Sequence, residues 1–428
     1  MLATSFTPLR ELITAVGITR AIIKVCDHFF SVSDKSYYDF HPLPFKDVTN
    51  LPYQPLFSVV MPVCKPPLRL LQEALQSVES QSYKNWQIVI ALDGEQGLEV
   101  TKVLEAFRYQ YLSEQVIVLP PGPLRGIANT TNYALKRCSG DYILLLDHDD
   151  LLAKEAMSYL VDALNAYKDK PKFIYSDEDK IDEKGAHFSP FKKQNFDPVL
   201  LRYQNYICHL SVIKRDLILE IGGLKSEFNG AQDWEWFYRL TKNLSNEKIL
   251  HLPLNLYHWR AHAQSTAQKI TNKSYVFSAQ RKLKKIIKSA LPVKRRSFKV
   301  LLAPELRIVG RHQKELLELL ADEKVMIIYG LILQYDGTIW SGPYQVCGEM
   351  VSRTYIGASR YALGECRELV YPRMVSRGTL RFAAVAMESN LDEKNLRHNH
   401  LAGEGVFMPN FRAQFISKAL QANFENRW

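Results

Sequence analysis

Between residues 56 and 180 the chain repeats one pattern: a short apolar run, then a longer stretch whose apolar residues return every three or four positions. The runs are Phe57-Ser58-Val59-Val60-Met61-Pro62, Trp86 to Leu92, Val116 to Leu119 and Tyr142 to Leu146, and each reads as a strand. Between them, Leu71, Ala74, Leu75 and Val78 mark one helix, and Val100, Val103, Leu104, Phe107 and Tyr111 a second. Ala128 to Arg137 makes a third, and Ala156, Leu160, Ala163, Leu164 and Tyr167 a fourth. Strands alternating with helices of this length predict β–α–β units, hence an α/β fold on a mostly parallel sheet.

Acidic residues gather where such a sheet binds ligands, outside the carboxyl ends of its strands. Asp93 follows the second run, Asp147-His148-Asp149-Asp150 the fourth, and Asp177-Glu178-Asp179 a further run, Phe173-Ile174-Tyr175. The middle group is the densest. Carboxylates delivered together by a buried strand call for a compensating cation. Hard divalent cations take carboxylate oxygens and usually hold phosphate as well. The plainer alternative, an acidic turn that caps the next helix, uses one carboxylate, and Asp150 reads as that cap.

The flanks lack this rhythm. Residues 1–55 combine an apolar stretch over 11–31, interrupted by Arg20, Lys24 and Asp27, with a proline-rich linker. No small-residue cleavage site follows that stretch, so a docking helix is expected rather than a signal peptide. Residues 56–270 form the α/β domain, whose later part is aromatic and polar, suited to substrate binding. Residues 271–300 are a basic connector, and 301–428 a second, smaller α/β unit with weaker signals.

At 428 residues two domains are expected, and 46% hydrophobic with 23% charged residues is ordinary for a soluble globular chain. The net charge of +10 suits an anionic partner. Arg281 to Lys288 and Lys294-Arg295-Arg296 form either a basic helix for an anionic membrane surface or a solvated face. Poor aromatic interleaving there disfavours nucleic acid. The six cysteines are scattered without a CxxC pair, which argues against a zinc ribbon and a disulfide framework and fits a reducing cytosol. No run of ~20 uncharged apolar residues predicts a membrane span.

Residues 56–270 resemble the family 2 glycosyltransferases of the GT-A fold, and most resemble the bacterial enzymes of O-antigen and surface-polysaccharide assembly. The resemblance is carried by Ser58 to Val63, Leu144 to Asp150, Tyr175 to Asp182, Gln204-Asn205-Tyr206-Ile207, Gly230-Ala231-Gln232-Asp233 and Leu256 to His262. It implies an inverting hexosyl- or deoxyhexosyl-transferase, cytoplasmic and peripheral on the inner face of the cell membrane. Such an enzyme moves sugar from a nucleotide-sugar donor to a lipid-linked or lipopolysaccharide glycan.

The resemblance also assigns roles. Asp147-His148-Asp149 falls on the DxD motif, so Asp149 would hold Mn²⁺ or Mg²⁺ on the donor diphosphate, and Asp147 would help through the ribose or the metal. Asp93 would contact the nucleotide, and Pro62 and Val63 would cup its base. Asp233 falls on the general base; the alternative is a cap for the helix Trp234 to Leu240. His258, Arg260 and His262 fall on the stretch that closes over the diphosphate, with His258 completing the metal shell and Arg260 clamping phosphate.

Some positions depart from the family pattern. Leu92-Asp93-Gly94-Glu95 stands for Asp-Asp-Gly-Ser, and Arg125-Gly126-Ile127 for Gly-Gly-Ile, where Arg125 would add positive charge near the diphosphate. No Gln-x-x-Arg-Trp is present, which disfavours a processive synthase. Residues 331–343 resemble part of a second, degenerate GT-A repeat. Two other readings stay open. A sugar nucleotidyltransferase would share the sheet and the carboxylate-bound metal but needs a glycine-rich basic loop after strand one. A non-catalytic scaffold would keep the fold without turnover.

Overall fold

The computed structural model describes residues 37–261 and 274–289, and the backbone of strands between 298 and 415. The expected N-terminal helix, His262, Lys294 to Arg296 and the turn at Asp336-Gly337 lie outside the described residues. The chain divides into two compact units, residues 1–196 with 205–283, and residues 197–204 with 284–428.

The first unit realises the alternating pattern. Strands β1 (Phe57–Val63), β2 (Trp86–Leu92), β3 (Val116–Leu119) and β4 (Tyr142–Leu145) are joined by helices α1 (Leu68–Glu79), α2 (Leu98–Tyr109) and α3 (Ile127–Leu135). All four strands run parallel in the order β3-β2-β1-β4. Central β1 has Phe57, Val59, Val60, Met61 and Val63 fully buried, the expected state of a strand covered on both faces. α1 buries Leu70, Leu71, Ala74, Leu75 and Val78 on one face, each worth roughly 1–3 kcal/mol of transfer free energy.

The rest of the sheet is mixed. After β5 (Leu151–Leu152) and α4 (Ala156–Ala166) come β6 (Phe173–Ile181), β7 (His187–Phe191), β8 (Ser211–Lys214), α5 (Arg215–Ile221), α6 (Gln232–Thr241) and β9 (Ile249–Arg260). The order continues β4-β8-β6-β9-β5, with β7 on β6. β8 runs antiparallel to both β4 and β6, while β6 and β9 are parallel. That reversal is why the strict alternation fades after residue 180.

Two expectations change here. β6 does not stop at Tyr175 but continues to Ile181, so Asp177, Glu178 and Asp179 are strand residues and all are buried. They are held inside because each finds a partner, described below. Asp150 does not cap α4, whose N-cap position is Glu155; it is buried among β9 groups instead.

A further helix, α7 (Ser274–Ser289), carries the basic run, and Lys282 pairs with Glu227 there. The described strands of the second unit include Phe298–Leu302, Leu306–Val309, Ile327–Leu333, Phe382–Ala386 and Gly405–Phe415. Ile327–Leu333 runs parallel to Gly405–Phe415, and its other pairings are antiparallel. No helix among the described residues is long and apolar enough to cross a membrane.

Candidate active site

The carboxyl ends of β1, β2 and β4 meet through backbone and side-chain hydrogen bonds. The Asp93 N–H donates to the Val63 carbonyl at 2.8 Å, and the Asp93 carboxylate accepts from Gly126 N–H at 3.0 and 3.2 Å. Gly126 takes φ +93° and a Cβ there would meet Asn229 Nδ2 at 3.0 Å, so both backbone and space favour glycine. Asp93 thus ties the turn before α3 to the end of β1. His148 Nδ1 lies 3.1 Å from the Pro62 carbonyl oxygen, which closes the same rim from β4. Arg125 is exposed on it.

The loop after β4 is fixed from below by β9. Arg260 is buried; its N–H donates to Asp150 Oδ1 at 2.7 Å and its Nε to the Asp149 carbonyl at 3.0 Å. Its guanidinium also pairs with Glu73 at 2.6 Å. Tyr257 donates its hydroxyl to Asp150 Oδ2 at 2.6 Å, and the Asp147 N–H lies 3.3 Å from the same hydroxyl. Arg260 therefore supports the acidic loop from within the protein, and the expected phosphate clamp is replaced by this mount.

His258 sits elsewhere than expected. Its Nδ1 donates to Asp179 Oδ1 at 2.6 Å, and His187 Nδ1 meets Asp179 Oδ2 at 2.7 Å. The Tyr38 hydroxyl donates to the same carboxylate. His258 belongs with Asp179 and His187, while Asp147 groups with Asp150 and His209. The reason is register: His258 lies directly opposite Asp179 in the β6–β9 ladder. Burial pushes the Asp179 carboxyl up, but hydrogen bonds from His187 and His258 and the His258 charge outweigh it, and the pKa falls to about 2.

His209 lies beside Asp147 and Asp150. Its ring stacks on Tyr257 with centroids 4.6 Å apart, and its ligand atom and those of Asp147 and Asp150 all lie within 4.8 Å of one another. Asp233 is near the same centre, in the first turn of α6. Its Oδ2 accepts from Asn205 Nδ2 at 2.7 Å and its Oδ1 from Trp234 N–H at 2.8 Å. The N-cap of α6 is Ala231, so Asp233 is not the cap. Glu235 is turned into a pair with Arg239, at 2.8 Å from both Nε and a terminal nitrogen.

The electrostatics of this centre are those of crowded, buried acids. Burial is the main cause that raises Asp147, with Asp149 adding to it and His209 opposing it. Burial, then Asp147 and Asp149, push Asp150 well above the usual carboxylate range. Asp233 is raised chiefly by burial, against the Trp234 N–H, His209 and Asn205. Crowded oxygen donors with an adjacent imidazole suit a divalent cation of the magnesium or manganese kind.

His209, Asn205 and Tyr257 are functional candidates that sequence reasoning did not assign. Asn205 and Tyr257 fall within quoted motifs, but only the fold shows what their side chains touch. His209 had no local signal, being an isolated histidine before a short strand.

Residues 58–222 match the family model described as Glycosyl transferase family 2. That span lies on the α/β domain described above, whose likeness is to family 2 glycosyltransferases. The chain is 37% identical over 235 residues to the uncharacterized protein y4gI of Sinorhizobium fredii, covering 55% of this chain and 26% of that protein. It is 30% identical over 222 residues to the O-antigen biosynthesis protein RfbC of Myxococcus xanthus, covering 52% and 17%. The chain thus spans about a quarter or less of the length of these two relatives. Among solved structures, S. aureus TarS 1-349 in complex with UDP-GlcNAc superposes with TM-score 0.40 at 17% identity, covering 50% of this chain and 60% of that one. The mannosyltransferase PcManGT of Pyrobaculum calidifontis, in complex with GDP-Man and Mn²⁺, gives TM-score 0.40 at 13% identity, covering 66% and 86%.

Proposed function

We propose that this chain is an inverting, metal-dependent glycosyltransferase that moves a sugar from a nucleotide-sugar donor to a lipid-linked or lipopolysaccharide glycan. The observation that carries the proposal is the meeting of Asp147, Asp150, His209 and Asp233 where the sheet ends, with burial raising all three acids. A bound Mn²⁺ or Mg²⁺ would neutralise charge on the departing nucleoside diphosphate, which is Lewis-acid chemistry. Asp149 and Asp147 would hold it, with His209 rather than His258 as the nitrogen donor.

The chain's own residues supply the remaining parts. The rim made by Val63, Asp93 and Gly126 would cradle the nucleotide, with Pro62 shaping its base pocket and Arg125 at its edge. Asp233 would take the proton from the attacking acceptor hydroxyl, since a neutral hydroxyl is a weak nucleophile. Burial makes its carboxylate a stronger base than an exposed aspartate, and Asn205 fixes one oxygen so that the other faces a constant direction. Attack from the side opposite the leaving diphosphate gives inversion. The match to RfbC supports an O-antigen type of acceptor, and the positive charge of the chain suits work beside anionic lipid.

The test is a panel of nucleotide sugars offered with Mn²⁺ or Mg²⁺ and a lipid-linked glycan fraction. Transfer is expected from one donor class, with inverted anomeric configuration by NMR, and it should vanish in Asp149→Ala. A native protein that transfers no sugar, or an Asp149→Ala protein that transfers it at the native rate, would sink the proposal.

A further inference from the structure

Lys193 follows β7 in a loop, yet its side chain is fully enclosed, 0% exposed. Its Nζ donates to the Ile207 carbonyl at 2.5 Å and to the His209 carbonyl, and pairs with Glu178 Oε2 at 3.1 Å. Those three acceptors use all three donors of an ammonium group. The same Glu178 oxygen accepts the backbone N–H of His209 at 3.0 Å.

The loop that carries Lys193 is itself mounted on β6. The Lys193 N–H donates to Asp177 Oδ1 at 2.8 Å, an oxygen that also meets His251 Nε2 at 2.7 Å. The Tyr175 hydroxyl donates to the Gln194 carbonyl at 2.6 Å. β6 therefore fixes residues 193–194, and these fix residues 207–209. Two side chains of that segment reach the acidic centre: His209 joins Asp147 and Asp150, and Asn205 donates to Asp233.

A buried lysine–glutamate pair is weak evidence for stability, because a well-packed apolar pair often serves as well. An apolar pair cannot donate to two backbone carbonyls two residues apart. We propose that Lys193, backed by Glu178, is a positioning residue for glycosyl transfer: it sets the 205–209 segment so that His209 and Asn205 meet the acids of the site. The proposal rests on the reading of that site as a transfer centre.

The test uses the full chain with Lys193→Met, and with Lys193→Met combined with Glu178→Gln. The double variant leaves no unpaired buried charge and keeps an acceptor for the His209 N–H, so it remains foldable if the single one is not. Hydrogen exchange and steady-state turnover are both read. In the folded double variant, exchange at 205–210 should quicken while β1 to β4 stay protected. Turnover should fall by about 100-fold, as expected for a misplaced catalytic group, and more Mn²⁺ should be needed for half-maximal rate. Native exchange at 205–210, or native turnover, would overturn it, since Lys193 would then only neutralise Glu178. Should the native protein turn over no nucleotide sugar, the transfer reading fails, and the exchange result still decides whether Lys193 anchors the segment.

Discussion

Two runs of acids belong to strands of one sheet separated only by β8, and they are treated in opposite ways. On β6, Asp177 meets His251, Glu178 meets Lys193, and Asp179 takes His187, His258 and Tyr38. These acids are building material: the partners repay their burial, and the Asp179 pKa falls to about 2. After β4, burial and mutual repulsion raise Asp147 and Asp150, and their fixed partners are β9 groups that hold the loop in place. Carboxylates matched by basic partners support structure. Carboxylates kept crowded and buried have raised pKa values, which a cation bound under the proposed function would offset.

The contrast can be broken by exchanging the behaviour of the two runs. The largest effect is expected from Asp149→Ala, which should remove metal-dependent turnover altogether while the protein stays folded, as read by product assay and circular dichroism. Next is Asp233→Asn, which should keep donor binding and lower turnover by about 100- to 10,000-fold, the usual range for loss of a general base.

Asp179→Asn should do the reverse. It should cost about 1–3 kcal/mol of stability through the donors left unsatisfied, measured by chemical denaturation, while the folded fraction still turns over donor. The folded pKa of Asp179 lies below its ordinary value of 3.8, so its contribution is present above that pH and is lost as pH falls towards about 2. Acid unfolding of the native protein should therefore show a component in that window that Asp179→Asn lacks.

The raised acids have the opposite sign. With folded pKa values above 3.8, their contribution is full below that pH and is lost as pH rises through the folded values. A cation that binds there offsets the loss. Mn²⁺ should thus raise the Tm more at neutral pH than in mildly acidic buffer, and an equal rise at both would blur the contrast. The smallest effect on turnover is expected at Glu235→Gln, which weakens the Arg239 pair and leaves turnover near native.

Much of this was legible in the residues. The four parallel strands and their helices follow from the spacing of Val59, Leu71, Ile88, Leu104 and Leu144, because a buried strand and an amphipathic helix each leave a periodic trace. Asp147, Asp149 and Asp233 were legible as candidates from motif and position. Side-chain partnership was not. Whether Asp177 ends a strand or continues one depends on His251, 74 residues away. His258 is drawn to Asp179 by ladder register, and His209 reaches the site through Lys193 and Glu178. Such contacts are made by tertiary pairing and leave no local period to read.

Calorimetric titration of a nucleoside diphosphate with Mn²⁺ into the native protein, Asp149→Ala and Asp179→Asn tests the contrast most directly. The account predicts metal-dependent binding by the native protein, the same affinity in folded Asp179→Asn, and none in Asp149→Ala. Binding by Asp149→Ala equal to native, or its loss in folded Asp179→Asn, would contradict it.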